Sequence, residues 1–377
     1  MLLAIGLFAL YASLTSFSAL WPFMVELAGV DSASYGSFLG AGNLLSLLVQ
    51  CLATATNSVG SVIFIGASFS IAASAALLSG YTYYSILSST IFQRLGMAIS
   101  MMGRGLAAGM EIPKSWKGFF TAGMLSSAQL GVLIGINLGL ALFLLTGSYQ
   151  YALVCGIILA LTSMVLLAPW RRMKLFQENF SLKLLVPRRR AIQSLMLICV
   201  VDAFVWGGVF GFAYVLAPSY LGAVESDIGL ARTLTMSVSI PMNLVFGMLS
   251  DKIRSRKLFM VLSEIIGSIA MMCYALIRSP ISIMIFGLLM GFVASTWGPV
   301  VIAFFAEITP RRELGATLSS WSILTGISRV ISPIIGGFII ISYGIPFLFK
   351  LSSVLILLVA VLIIFALKDR PSREIAK

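Results

Sequence analysis

Residues 247–257 read GMLSDKIRSRK, from Gly247 to Lys257, and place Asp251, Lys252, Arg254, Arg256 and Lys257 within seven positions. Long apolar runs flank this stretch on both sides, so it is expected to be a connection lying outside the lipid. The chain has 377 residues, of which 59% are hydrophobic and 10% charged, whereas a soluble domain carries about 25% charged side chains. Apolar runs of about 18 residues or more recur along the whole length, each able to cross a hydrocarbon core of roughly 30 Å as a helix. A β-barrel is excluded, because its strands alternate over segments of about ten residues.

The net charge of +12 does not point to nucleic acid, because the cations cluster in short segments between apolar runs. Cys51, Cys155, Cys199 and Cys273 fall inside apolar runs with no CxxC spacing. That argues against a disulfide framework or a zinc site and for small core residues. The sequence contains no histidine, which removes histidine-ligated metals and imidazole catalysis. No metal or cofactor is expected. Enzymatic activity is not expected either, since no acid pair or nucleophile constellation converges. The absence of GxxxxGK[ST] excludes nucleotide hydrolysis by a P-loop. The segment from Met1 lacks the cationic start of a signal peptide and is expected to be retained as a span.

Twelve helical segments are expected, near 2–25, 34–54, 60–80, 83–107, 118–145, 149–169, 192–217, 229–249, 258–277, 281–304, 315–342 and 346–367. If Met1 is cytoplasmic, the inside segments hold nineteen of the 25 cations, among them Lys114, Arg171, Arg188, Lys252, Arg311 and Lys368. The opposite loops hold Glu26, Asp31, Glu225 and Asp227. This asymmetry predicts a multi-pass cell-membrane protein with both termini in the cytoplasm. The polar segment from Trp170 to Ala191 divides the helices six and six. Across it Pro22 matches Pro218, Asp31 matches Asp227 and Glu111 matches Glu307 at an offset of 196, while Gly96, Ser100 and Gly103 match Gly291, Ser295 and Gly298 at 195. The expected domains are a bundle over 1–169, a basic cytoplasmic linker over 170–191, and a second bundle with a short tail over 192–377. With an even number of crossings in each half, the repeats are parallel, related by an axis along the membrane normal.

Twelve helices in two parallel repeats, a basic central segment and GMLSDKIRSRK between helices 8 and 9 together resemble the major facilitator superfamily. The resemblance covers essentially the whole chain. The family's loop runs G-x-L-x-D-[RK]-x-G-[RK]-[RK]; here Gly247, Leu249, Asp251, Lys252, Arg256 and Lys257 fit with one residue inserted, and Arg254-Ser255 replaces the loop glycine. The resemblance implies a cytoplasmic gate formed by Gly247, Asp251, Lys252, Arg256 and Lys257. In it Asp251 would face the N-terminus of helix 5 near Gly118 and the cations would hold the two halves together. The alternative is that these charges only set topology. The corresponding first-half loop, Cys51 to Ser61, carries no charge, so an unequal latch is expected. Gly131 and Gly135 in helix 5, and Gly326, Pro333, Gly336 and Gly337 in helix 11, supply close helix approach and a bend. Ile136 stands where the family's proton-driven exporters often place proline.

Ionisable residues at depth are functional candidates. Asp202, Arg94, Arg329 and Glu264 lie well inside apolar runs, whereas Arg232, Lys350 and Arg104 fall near helix ends and are expected to snorkel. The family resemblance implies that helices 1, 4, 7 and 10 line the path, putting Asp202 and Arg94 on it. Glu264 would then neutralise the nearby basic loop. Asp202 would exchange a proton or pair with a cation, the alternative being a fixed salt bridge to Arg94; Arg94 could instead bind an anionic group of the substrate. Trp206 shares its face, and Arg329 joins these as a coupling or binding candidate. Tyr11, Asn43, Gln93, Gln129, Asn137, Asn243, Ser295 and Trp297 are candidate cavity-lining residues.

The expected function is secondary active transport of a small polar or anionic metabolite by alternating access, proton-coupled through Asp202 as symport or antiport. The alternatives are a proton-driven multidrug efflux transporter and, lower, a non-transporting receptor or scaffold. Expected partners are the small-molecule substrate, protons and membrane lipid, for a chain acting as a monomer.

Overall fold

In a computed structural model, residues 2–53, 59–108, 114–169, 189–253, 255–309 and 313–367 are described. They form fourteen α-helices and no strand. The first half comprises α1 (Leu2–Thr15), α2 (Trp21–Leu27), α3 (Ser32–Ala53), α4 (Val59–Leu78), α5 (Tyr83–Ala108), α6 (Lys114–Thr146) and α7 (Tyr149–Leu167). The second comprises α8 (Arg190–Val215), α9 (Ala217–Leu221), α10 (Glu225–Ile253), α11 (Arg256–Leu276), α12 (Ile281–Ile308), α13 (Leu314–Tyr343) and α14 (Ile345–Ala366).

The first and seventh expected spans are each broken near their ends, at equivalent places. Proline explains both breaks. Pro22 and Pro218 lack an amide hydrogen and fall in the first turns of α2 and α9, where the missing donor costs nothing but where an uninterrupted helix would clash. Before Pro22 the hydroxyls of Thr15 and Ser16 donate to the carbonyls of Tyr11, at 2.7 Å, and Ser13, at 3.0 Å. They compete there with backbone pairing.

The packing repeats across the halves. Contacts of α1 with α6 and α7 are matched by α8 with α13 and α14, those of α5 with α3 and α4 by α12 with α10 and α11, and α4–α7 by α11–α14. Between the halves, α3 packs on α13 and α6 on α10. Twelve transmembrane segments in two six-helix repeats therefore account for the chain, with α1–α2 and α8–α9 each forming one broken span. Among the described residues, seven helices are long and apolar enough to cross a bilayer by length and composition. Outside that group fall α3, α5 and α10, which carry Asn43, Arg94 and Arg232.

The buried apolar side chains separate along the long axis. At the end bearing α2 and α9, one cluster takes residues from both halves, including Phe17, Trp21, Tyr35, Phe212, Tyr214 and Ile228. At the opposite end each half has its own cluster: Leu3, Leu7, Leu14 and Leu167 in the first, and Ile192, Phe259, Phe304 and Ile363 in the second. Among the described residues, the halves share a core at one end and form separate clusters at the other.

The stretch that opened the sequence reading is shorter as a loop than expected. Helix α10 continues through Asp251 to Ile253, and α11 begins at Arg256 with Ser255 as its N-cap, whose hydroxyl accepts from the Leu258 amide at 3.3 Å. Among the described residues, two of the cations that follow make contacts in their own half. Arg256 reaches Glu307 of α12 through Nε and Nη2, each at 2.9 Å, and Lys257 donates to the carbonyls of Ile364, in the last turn of α14, and Leu367, just after it, at 2.5 and 3.1 Å. Lys252 is exposed. The expected contact of Asp251 with the start of helix 5 lies outside the described residues, as do Glu111, Arg254, the charge-free loop over 54–58 and the linker over 170–188.

Candidate functional site

A cavity of about 210 Å³ lies between the halves beneath the shared core. From the first half it is lined by Thr15 and Ser18 near the α1 break, Trp21, Tyr35 of α3, and Thr90, Gln93, Arg94 and Met97 of α5. The second half contributes Phe210, Gly211, Tyr214 and Val215 of α8 and Arg232 of α10. No carboxylate is among the lining residues.

Each polar group has a local reason for its place. Gly42 on α3 leaves room for the aliphatic stem of Arg94: a Cβ there would stand 3.0 Å from Arg94 Cγ. The Gln93 amide donates to the Leu14 carbonyl at 3.2 Å, fixing α5 against the last turn of α1. The Trp21 indole donates to the Tyr35 phenol at 3.1 Å. Arg232 lies over the Tyr214 ring with Cζ 4.3 Å from its centroid, a cation–π contact. The Tyr214 hydroxyl is 3.4 Å from Thr235 Oγ1, and Thr235 donates to the Gly287 carbonyl of α12 at 2.8 Å.

Arg232 corrects the sequence reading. It was expected to snorkel from a helix start near 229, but α10 starts at Glu225, and Arg232 sits two turns in and lines the cavity. The Asp31–Asp227 match carried the missed signal, since it aligns the start of α10 with that of α3. Tyr35, Tyr214 and Trp21 were missed because single aromatic residues in apolar runs give no signal of direction.

The end beyond the cavity is tied across the halves. The Tyr149 phenol donates to Glu225 Oε1 at 3.1 Å. The Asn137 amide donates to Thr233 Oγ1 at 2.9 Å, and the Leu140 side chain fills the space left by Gly229.

Of the sequence candidates, Arg94 and Gln93 line the cavity. Asp202 does not: it is 5% exposed, with Trp206 as its hydrogen-bonding neighbour and Arg329 within electrostatic reach. The alternative pairing with Arg94 is not formed, because among the described residues neither group makes an ion pair within 4 Å. Trp206 turns to α11, where its ring occupies the space beside Gly267. Glu264 is a second correction. It is fully buried, its charged neighbour is Asp202, and both its oxygens lack a hydrogen-bond partner. The basic stretch is met by Glu307 instead.

The other candidates serve packing and the interface between halves. Asn43 donates to the Arg329 carbonyl across the α3–α13 contact at 2.6 Å. Asn243 donates to Ser239 at 3.5 Å and Ser295 to the Phe292 carbonyl at 2.8 Å. Tyr11 lies in the first-half cluster and Trp297 packs against the second. Gln129 is half-buried on α6. Gly131 and Gly135 face the carbonyls of Phe8 and Ala12, Gly326 faces Leu47, Gly336 the Gly208 carbonyl and Gly337 the Ser32 carbonyl. The carbonyl of Pro333 meets Gly36 of α3.

Residues 195–377 match the family model described as Major Facilitator Superfamily. The search of curated proteins returns no match. Among solved structures, a mutant of the nucleoside transporter NupG is similar over 97% of this chain and 99% of its own, at 12% identity and TM-score 0.75. A bacterial homologue of the human lysosomal transporter Spinster, in an inward-facing and occupied conformation, is similar over 99% and 98%, at 13% identity and TM-score 0.72. The human organic anion transporter MFSD10 (TETRAN) is similar over 96% and 98%, at 13% identity and TM-score 0.66.

Proposed function

We infer, from the match of residues 195–377 to the Major Facilitator Superfamily model and from a fold similar to those of the solved transporters, that this protein is a member of that superfamily and a secondary transporter working by alternating access. The observation carrying the reading is the division of the core: one apolar cluster joins the halves at the end of α2 and α9, while two separate clusters pack the opposite end. A cavity lies between. Closure at one end and division at the other is what a rocking pair of repeats requires. The two halves fall at 1–169 and 192–377, joined by the basic linker over 170–191. With both termini cytoplasmic by the distribution of cations, the closed end is extracellular and this state faces inward, in the cell membrane.

The substrate is a small polar or anionic metabolite. A cavity of about 210 Å³ is smaller than the roughly 300–1,000 Å³ of pockets that take drug-sized ligands, which suits a compact solute better than a bulky drug. Asp202 couples the movement to protons from within the second half, beside Arg329 rather than in the cavity.

Purified protein in proteoliposomes, screened for solute counterflow and then for flux with and without an imposed pH gradient, tests this reading. Solute-specific flux that responds to the gradient, and loses that response in Asp202→Asn, is expected. Flux indifferent to the gradient and to that substitution would remove proton coupling, and no flux of any solute would remove transport.

A further inference from the structure

Arg94 and Arg232 reach the cavity from opposite halves, on α5 and α10, and lie within electrostatic reach of each other. Neither makes an ion pair within 4 Å among the described residues. The Nε of Arg232 is buried without a hydrogen-bond partner, and the lining supplies no carboxylate. Two guanidiniums in a low-dielectric space repel each other, and a buried charge without a partner is costly. Both unfavourable contributions are cancelled by the same event, the arrival of negative charge.

The two side chains are also held in position. The stem of Arg94 rests against Gly42, and Arg232 is stacked on Tyr214. A planar guanidinium fixed in this way presents paired donors that match carboxylate or phosphate oxygens. Trp21 and Tyr35 form aromatic walls around the remaining space.

We propose that Arg94 and Arg232 form a two-guanidinium clamp for a compact organic dianion, either a dicarboxylate or a phosphate monoester, which rests on the transport reading above and gives it a substrate class. The clamp spans the interface, so a bound dianion draws α5 and α10 together as it neutralises them. Empty, the same charges push those helices apart.

Thermal stabilisation of the purified protein at neutral pH by succinate, glycerol 3-phosphate, uridine and choline tests the clamp. Stabilisation by at least one of the two dianions, and by neither uridine nor choline, is expected. Arg94→Gln and Arg232→Gln should each raise the half-saturating concentration by about tenfold or more, the loss of a charge-assisted hydrogen bond, at an unliganded melting temperature no lower than that of the wild type, since each removes one of two repelling charges. Should Arg232→Gln fail to purify, Arg232→Lys keeps the charge without the fork, and an intermediate loss is expected. Stabilisation by uridine or choline alone, no response to either dianion, or full response in the arginine variants would overturn the clamp. Uridine or choline counterflow without an anion response would do so while leaving transport standing. Dianion binding without flux of any solute would retain the clamp and remove transport.

Discussion

The Tyr149 phenol donates to Glu225 Oε1 at 3.1 Å, tying the first turn of α7 to the first turn of α10 in the other half. Its ring is held by Phe143, stacked at 4.7 Å, and by Tyr81, edge-on at 5.8 Å. Tyr149→Phe removes the hydrogen bond and keeps the stack, so its effect falls on the seal alone. A hydrogen bond to a charged group contributes about 1.5–3 kcal/mol, less where water competes. In a background without the native cysteines, a cysteine placed at the cavity position Thr90 should be labelled roughly two- to tenfold faster by an impermeant thiol reagent added at the closed end. Unchanged labelling would show that the apolar cluster alone holds that end shut.

Gly131, Gly135 and Gly139 occupy successive turns of α6 and face the backbone carbonyls of Phe8 and Ala12 on α1 and of Ser16 just beyond its end. A methyl group at Gly139 would collide with the Ser16 carbonyl, which is backbone and cannot rotate away. Overpacking of this kind costs about 1–3 kcal/mol. Gly139→Ala should therefore lower the melting temperature clearly. Gly298→Ala is the contrast: nothing lies within 4 Å of its added methyl, so replacing a helical glycine should leave stability unchanged or raise it by up to about 1 kcal/mol. Equal effects in the two melts would refute the packing assignment.

Asp31 caps α3 and belongs to the closed end. Its Oδ1 accepts from the amides of Ala33 and Ser34 at 2.8 and 2.9 Å, and Oδ2 accepts from the Ser34 hydroxyl at 2.7 Å. The Ser34 amide, then its hydroxyl, hold the carboxyl below the ordinary aspartate value of 3.8. A lowered folded value means that the contribution is fully present at neutral pH and is lost only as pH falls below about 3.8 towards the folded value. Asp31→Ala should cost about 1 kcal/mol at pH 7. Asp31→Asn keeps the cap, so it should melt near the wild type while losing that acid-range component. A deficit in Asp31→Asn equal to that in Asp31→Ala would assign the effect to charge rather than capping.

The fold was legible in this chain because lipid imposes a simple rule on it: each span needs a long apolar run, and cations collect on one side. The repeat was legible because Pro22 and Pro218, and Asp31 and Asp227, mark turns and caps whose backbone demands recur in both halves. Depth and direction were not. Arg232 looked terminal because α10 extends four residues beyond the apolar pattern, through polar Glu225 to Ile228. Glu264 looked like the counter-ion of a nearby loop because proximity in sequence says nothing about which helical face is covered. Gly36 and Gly40 of α3 went unnoticed although they meet the carbonyls of Pro333 and Val330, since the groove they form exists only once α13 is beside it. Apolar periodicity reports whether a face is hidden, not which helix hides it.

Glu264 of α11 is buried within electrostatic reach of Asp202 of α8, and the two carboxyls make separable predictions. Glu264 is fully buried with both oxygens unpartnered, an arrangement whose desolvation cost no donor offsets. Replacing such a group by an apolar side chain of similar volume is often stabilising, by about 1–4 kcal/mol for buried ionic groups. Glu264→Met should accordingly raise the melting temperature, and a fall of the size of a core cavity would show that the carboxyl is satisfied within the bundle. If Asp202 is the source of the interaction, the gain should shrink in Asp202→Asn, because the repulsion relieved by Glu264→Met is already gone. A double-mutant cycle reads that coupling directly, with about 0.5–3 kcal/mol expected if the two carboxyls are coupled. Additivity of the two substitutions would separate the carboxylates energetically and leave Asp202 answering to Arg329 alone.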